Sequence, residues 1–200
     1  ASILDAHLES FASSVQKAGR SVVEGTLAIH REMAQRFLPS AVKFHYNFNM
    51  RDLASVFQGL CQLPPQVRQG LQVARLWMHE CERVYADRLI SNGEIQRCQE
   101  IIVDVAKRVL DEDPDALFKR PNAWTTFATQ TLDESTAYLP VKSMASLSKV
   151  LHEQLKEYNE QNAIMNLVLF DQAMLHVVRI ARIIGFPQGN ALLVGVGGSG

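Results

Sequence analysis

The sequence predicts a mainly α fold that runs, near its C-terminus, into the first strand of an α/β unit. Three observations carry this reading. Apolar residues recur at about every third or fourth position through most of the chain, which is the helical period. Prolines and glycines punctuate those stripes where helices would stop. Close to the C-terminus a short apolar run passes directly into a glycine-rich segment, as a buried parallel strand does before a phosphate-binding turn.

Each element follows in order. From about Leu8 to Phe37 the stripe is Phe11, Val15, Ala18, Val22, Leu27 and Met33, one long helix by periodicity. Leu38-Pro39 ends it, because proline lacks a donor and disfavours helix before itself. An extended aromatic piece, Phe44-His45-Tyr46-Asn47-Phe48, comes next. Asn49 is a good N-cap for a helix through about Leu60, with Asp52 in the first turn where the helix dipole favours an acid. Leu63-Pro64-Pro65 is a second break. Val67, Leu71, Ala74, Met78, Cys81, Tyr85 and Leu89 then line one face of a long amphipathic helix over residues 66–89. Ser91-Asn92-Gly93 reads as a turn in which Gly93 is free to take a positive φ. A helix from about Glu94 to Leu110 completes a helical hairpin. Residues 111–140 weaken into an irregular connector with an acidic loop, Asp111-Glu112-Asp113-Pro114-Asp115. Helices resume over about 143–158 and 171–184, and Gly185-Phe186-Pro187 ends the last. Asn190-Ala191-Leu192-Leu193-Val194 is the expected strand.

Composition bounds the function. Hydrophobic residues make up 47% of the 200, enough to supply a core. Lysine and arginine (20) nearly balance aspartate and glutamate (21), for a net charge of −1, so electrostatics supply no reason to propose nucleic acid or an anionic membrane as partner. The longest apolar runs fall far below the ~20 residues of a membrane-spanning helix, and no signal-peptide pattern opens the chain. Cys61, Cys81 and Cys98 form no CxxC pair and read as free thiols. The six histidines form no HExxH or other ligand pattern, and no Ser/His/Asp or Cys/His grouping is present. No catalytic residue and no metal site is predicted.

The C-terminal segment is the most informative. Gly195-Val196-Gly197-Gly198-Ser199-Gly200 has the glycine spacing of a phosphate loop, Gly-x-x-x-x-Gly-Lys-Ser/Thr, and follows the apolar run that would be its strand. Glycines are needed because backbone N–H groups must turn inward around phosphate oxygens. The lysine would come next, so both ends of the chain read as cut points within a longer one. A flexible Gly-Ser linker has the same composition. Upstream, Val168-Leu169-Phe170 precede a helix and suit either an adenine-pocket wall or core packing. Arg51 stands in a helix first turn, where the dipole opposes it. A phosphate contact would explain it; so would pairing with Asp52 or another acid.

Two stretches together resemble the heavy chain of dynein, most closely the axonemal, outer-arm type. The first is Phe37-Leu38-Pro39 through Phe44-His45-Tyr46-Asn47-Phe48-Asn49-Met50-Arg51-Asp52-Leu53 to Val56-Phe57-Gln58-Gly59. The second is Met165-Asn166-Leu167-Val168-Leu169-Phe170-Asp171-Gln172-Ala173, followed by Gly189-Asn190 and the glycine-rich end. The resemblance implies that residues 1–110 are the helical lid of the third AAA+ module, 111–142 an inter-module connector, and 143–200 the beginning of the fourth module. It implies that Arg51 is the sensor arginine facing the γ-phosphate of the third module's nucleotide. It places Val168, Leu169 and Phe170 against adenine in the fourth, and makes Gly195, Gly197, Gly198, Ser199 and Gly200 the start of its phosphate cradle. The family is a six-module ATP-hydrolysing ring that walks on microtubules, with the third and fourth sites regulatory. The implied cofactor is ATP or ADP with Mg²⁺ in the parent chain, none being expected to bind tightly to this segment. The implied partners are the rest of the ring and, through distant parts, the microtubule, with no nucleic acid or membrane. The implied location is the cytoplasm, in the axoneme of a cilium or flagellum. The chain departs from the family pattern in lacking the phosphate-loop lysine, a Walker B acid and the third module's own phosphate loop, so it is expected to be inactive alone. Two alternatives stay open: a non-catalytic helical interaction module with a linker tail, and a P-loop enzyme of another family.

Overall fold

The computed structural model describes residues 2–128 and 137–195. They form two compact units, residues 1–122 and 123–200.

The first unit is a bundle built around one helix. Its elements are α1 (Ser2–Leu8), α2 (Ser13–Arg36), α3 (Met50–Leu60), α4 (Gly70–Tyr85) with a 3₁₀ turn Ala86–Arg88, α5 (Asn92–Val109) and the short α6 (Pro114–Leu117). The helix expected over 8–37 begins later, at Ser13, and a separate short helix, α1, precedes it and ends at Leu8. The break falls at residues 9–12, where the Gln16 side-chain amide donates to the carbonyls of Glu9 and Phe11, both at 3.0 Å. Such side-chain competition for backbone carbonyls is not registered by periodicity. α4 also differs from expectation. In place of one apolar stripe, it buries Val73, Leu76, Trp77, His79, Glu80, Glu82 and Val84 as well as Ala74, Met78, Cys81 and Tyr85. It is covered by α2, α3 and α5, so its polar residues need internal partners.

Close approach explains two glycines. A Cβ on Gly25 of α2 would overlap the Trp77 ring, and one on Gly59 of α3 would overlap the Glu80 carboxyl group. Small residues at these points let both helices seat against α4. Beside Gly25, Thr26 Oγ1 accepts from Trp77 Nε1 at 2.9 Å and donates to the Val22 carbonyl. α4 also holds the chain that follows α5. Arg75 donates to the carbonyls of Ala116 (2.7 Å) and Pro121 (3.1 Å), and its own carbonyl accepts from Asn122 Nδ2 at 2.9 Å. His79 Nδ1 donates to the Asn122 carbonyl at 3.1 Å, and Glu82 pairs with Arg120 at 2.9 Å. Asp113 caps α6, with Pro114 in its first turn. Gly93, expected in a turn, lies inside the first turn of α5, which Ser91 caps.

The second unit contains β1 (Trp124–Thr125), β2 (Leu139–Pro140), α7 (Met144–Gln161) and α8 (Asp171–Gly185). β1 and β2 are antiparallel, with Trp124 opposite Pro140 and Thr125 opposite Leu139. Ala123, Val141, Leu147, Met174 and Val178 form its core. Ser143 caps α7. After α8, Pro187 and Gln188 form a turn in which Gln188 has φ 59° and the Gly189 N–H donates to the Phe186 carbonyl. Gly189 is required there, because a Cβ would collide with the Ile183 carbonyl oxygen.

The strand expected at residues 191–194 is not formed. Residues 191–195 have no regular structure, and Leu192, Leu193 and Val194 are 90, 72 and 88% exposed. A parallel strand exists only through hydrogen bonds to neighbours, and the only sheet among the described residues is the β1–β2 pair. The mainly α class is as the sequence predicts, whereas the β1–β2 pair lies in the stretch expected to be an irregular connector.

Candidate functional site

The first candidate centres on the N-terminus of α3. Asn49, in extended conformation, accepts from the Arg51 N–H through Oδ1 at 2.8 Å, and Asp52 Oδ2 accepts from the Asn49 N–H at 2.7 Å. This reciprocal box satisfies donors that a helix start leaves open. The other Asp52 oxygen, Oδ1, accepts from Arg88 Nη2 at 2.6 Å. Both oxygens of the carboxylate are therefore engaged by groups other than Arg51. Arg51 itself is exposed, and no carboxylate among the described residues forms an ion pair with it. The pairing with Asp52 that would have explained this arginine as ordinary surface charge is absent. What remains is a guanidinium held on a capped first turn and open to an external anion.

The segment leading to that turn is tied down by residues distant in sequence. Tyr46 Oη donates to Glu94 Oε2 at 2.8 Å and accepts from the Ile90 N–H at 3.0 Å. Lys43 Nζ reaches Glu94 Oε1 at 2.6 Å, and Ser91 Oγ donates to Glu94 Oε2 at 2.9 Å. The Lys43 hydrogen bond, followed by those from Tyr46 and Ser91, holds the Glu94 carboxyl group down at about 2. The same contact raises the Lys43 ammonium. Burial pushes the Tyr46 phenol up. His45 Nε2 lies 3.0 Å from the Arg88 carbonyl, and the Arg88 guanidinium sits 5.1 Å from the Phe48 ring centre. Phe44 (77% exposed) and Met50 (74%) leave apolar surface uncovered on the same stretch.

The second candidate is the segment before α8. Asn159 pins Met165, its Oδ1 accepting from the Met165 N–H at 2.9 Å and its Nδ2 donating to the Met165 carbonyl at 3.2 Å. From there the chain runs without regular structure into the α8 N-terminus. Leu169 turns inward onto the Met174–Val178 core, while Val168 (81%) and Phe170 (58%) face outward. Core packing thus accounts for Leu169 and leaves Val168 and Phe170 without a packing role inside this unit. Gly195 is exposed. Gly197, Gly198, Ser199 and Gly200 lie outside the described residues.

Sequence reasoning missed Arg88, Glu94 and Tyr46. Each acts across more than thirty positions, with Arg88 and Asp52 36 apart and Tyr46 and Glu94 48 apart, and no local pattern signals such a pairing. Two surface hollows of the first unit, one beside Asp5, Leu8, Glu9 and Arg20 and one beside Gln96, Glu100, Asp104 and Arg120, are not lined by Arg51. Among the described residues no group of His, Cys, Asp and Glu could hold a metal ion, and no helix is long and apolar enough to cross a membrane.

Two family models match the chain. Residues 22–119 match an AAA+ lid domain, and residues 165–200 match the P-loop containing dynein motor region D4. Curated relatives match along its full length. A ciliary dynein beta chain of Tripneustes gratilla is 48% identical over all of this chain. The chain belongs to the dynein heavy chain family. A flagellar outer-arm dynein beta chain of Chlamydomonas reinhardtii is 47% identical, and dynein axonemal heavy chain 17 of Homo sapiens 44%, each over 99% of this chain. The chain spans 4% of the length of each of these dynein relatives. The α3 turn bearing Arg51 falls within the lid match, and Val168, Leu169, Phe170 and the glycine-rich end fall within the dynein motor match.

Proposed function

We propose that this chain is the stretch of an axonemal dynein heavy chain that runs from the lid of the third AAA+ module into the phosphate loop of the fourth. In this reading it contributes parts of two regulatory nucleotide sites to an ATP-driven microtubule motor of cilia or flagella. The lid extends through α5, residues 111–142 lead from it, and residues 143–200 begin the fourth module. Arg51 is the sensor arginine for the γ-phosphate of the third module's nucleotide. Val168, Leu169 and Phe170 border the adenine of the fourth, and Gly195, Gly197, Gly198, Ser199 and Gly200 open its phosphate cradle. ATP or ADP with Mg²⁺ occupies these sites in the parent motor, whose remaining modules are the partners of this segment.

The observation that carries the proposal is the exposed, acid-free guanidinium of Arg51 on a helix start that Asn49 and Asp52 fix. Positive charge at that end of a helix is unfavourable by about 0.3–1 kcal/mol, and an anionic ligand would offset it. A guanidinium suits this task because its planar donors match phosphate oxygens two at a time. Neither site is complete in these 200 residues, so the segment by itself is inactive. Titration calorimetry of the chain with Mg-ATP tests this: no heat of binding is expected up to millimolar nucleotide, and micromolar affinity would overturn the incomplete-site reading. In the parent motor, Arg51→Ala is expected to weaken retention of nucleotide by the third module, and unchanged retention would remove the sensor role.

A further inference from the structure

We propose that Arg88 is a positioning residue for Arg51 and so helps set how tightly the third module holds its nucleotide. This rests on the sensor reading of Arg51 given above.

Arg88 closes the 3₁₀ turn Ala86–Arg88 that follows α4. From there it makes three contacts with the segment carrying Arg51. Its Nη2 donates to Asp52 Oδ1 at 2.6 Å, its guanidinium covers the Phe48 ring at 5.1 Å, and its carbonyl lies 3.0 Å from His45 Nε2. Residues 48 and 52 bracket Arg51. Asp52 is 6% exposed, so the ion pair is sheltered from water and the bond is short and charge-assisted. One carboxylate thus carries two restraints, the Asn49 N–H on Oδ2 and Arg88 on Oδ1. The first restraint is enough to start the helix. The second adds a direction: it fixes the first turn of α3 relative to the end of α4, and with it the point from which Arg51 projects. Because Asp52 is neutralised by Arg88, Arg51 is also free of competition from its own neighbour.

A guanidinium is needed for this arrangement. Its delocalised charge sits 5.1 Å from the Phe48 ring centre while Nη2 reaches Asp52, whereas a lysine ammonium keeps the charge but is a compact point donor that does not span both contacts in the same way. Arg88→Met should therefore remove the restraint, and Arg88→Lys should restore part of it.

The test uses the full parent motor and a fluorescent, non-hydrolysable ATP analogue that keeps the γ-phosphate, mant-AMPPNP, with Mg²⁺. The third-site signal is the part lost when that module's phosphate-loop lysine is replaced. Arg88→Met is expected to raise mant-AMPPNP release about three- to tenfold, the range for a residue that acts through another. Arg88→Lys should recover part of the loss. In an Arg51→Ala background Arg88→Met should have no further effect, since there is no sensor left to position. Thermal melting of every variant is followed in parallel. If Arg51→Ala weakens retention and Arg88→Met does not, the positioning role is refuted while the sensor reading stands. If the two effects multiply, or if Arg88→Lys fails to recover any retention while melting normally, Arg88 acts through general stability and the inference fails. If Arg51→Ala leaves retention unchanged, the sensor reading fails and the positioning role with it.

Discussion

Replacing Thr26 with valine should destabilise the first unit by about 1–2 kcal/mol, for a reason that can be traced atom by atom. Thr26 and Trp77 are both fully buried, and the Trp77 indole N–H reaches its acceptor, Thr26 Oγ1, at 2.9 Å. Valine has nearly the same shape, so no large cavity opens. The Thr26 hydroxyl also donates to the Val22 carbonyl at 2.6 Å, but that oxygen keeps its place in the ladder of α2. The loss is therefore one-sided: the indole N–H is left buried without an acceptor, at a cost of about 1–3 kcal/mol. The added methyl offsets somewhat under ~0.8 kcal/mol of this. For a chain of this size the net change corresponds to a fall in Tm of about 3–6 °C. Urea unfolding followed by circular dichroism gives the free energy. The decisive measurement is a double-mutant cycle with Trp77→Phe, which removes the orphaned donor. The double variant should be less destabilised than the sum of the two singles by about 1 kcal/mol. Additivity within about 0.3 kcal/mol would refute the claim that this hydrogen bond couples α2 to α4.

Other outcomes follow from the same geometry. Gly25→Ala should cost about 1–2 kcal/mol by denaturant unfolding, since overpacking against Trp77 outweighs the gain in helix propensity. Gly93→Ala, which meets open space in the first turn of α5, should instead stabilise by about 0.5 kcal/mol. Glu94 is held at about 2, below its unfolded value of 4.5, so the stability it contributes is present above pH 4.5 and fades as pH falls toward 2. Hydrogen exchange at the Ile90 N–H, which Tyr46 accepts, should quicken over that window relative to neighbouring amides, and Glu94→Gln should abolish the pH dependence. Burial pushes the Cys81 thiol up and the Cys98 thiol up to about 12. Ellman's reagent at pH 7.5 should accordingly label half-buried Cys61 first, and Cys81 and Cys98 only on unfolding.

What could be read in the sequence was what is local. The α3 start was legible to the residue, because Asn49 and Asp52 form their box across three positions. The α7 and α8 stripes and the Gly185 stop depend only on neighbours. α4 shows the limit of a local pattern: its apolar stripe is real, but Glu80, Glu82 and His79, outside that stripe, are buried as well. Their burial depends on helices contributed by distant parts of the chain and on partners such as Arg120 and the Asn122 carbonyl. The strand at 191–194 needed neighbours that no local pattern can supply. The site divides the same way. Glycine spacing and an apolar approach are local signals; Arg51 also had one, a cation in a helix first turn, but that signal left both phosphate contact and acid pairing open, and only the resemblance to a family segment chose between them. The Arg88 clamp had no local signal at all.

The anchoring of residues 116–122 on α4 has a mechanical consequence. Arg75, His79 and Glu82 grip that segment through carbonyl and carboxylate contacts, and Asn122 grips back through its own side chain. A chain leaving a bundle through a loose loop would absorb small movements of the bundle in its slack. Here the point of departure is fastened to the central helix, and the same helix leads through its 3₁₀ turn to Arg88 and the mount of Arg51. A shift of α4 therefore moves both ends of a lever together: the arginine at one end and the outgoing chain at the other.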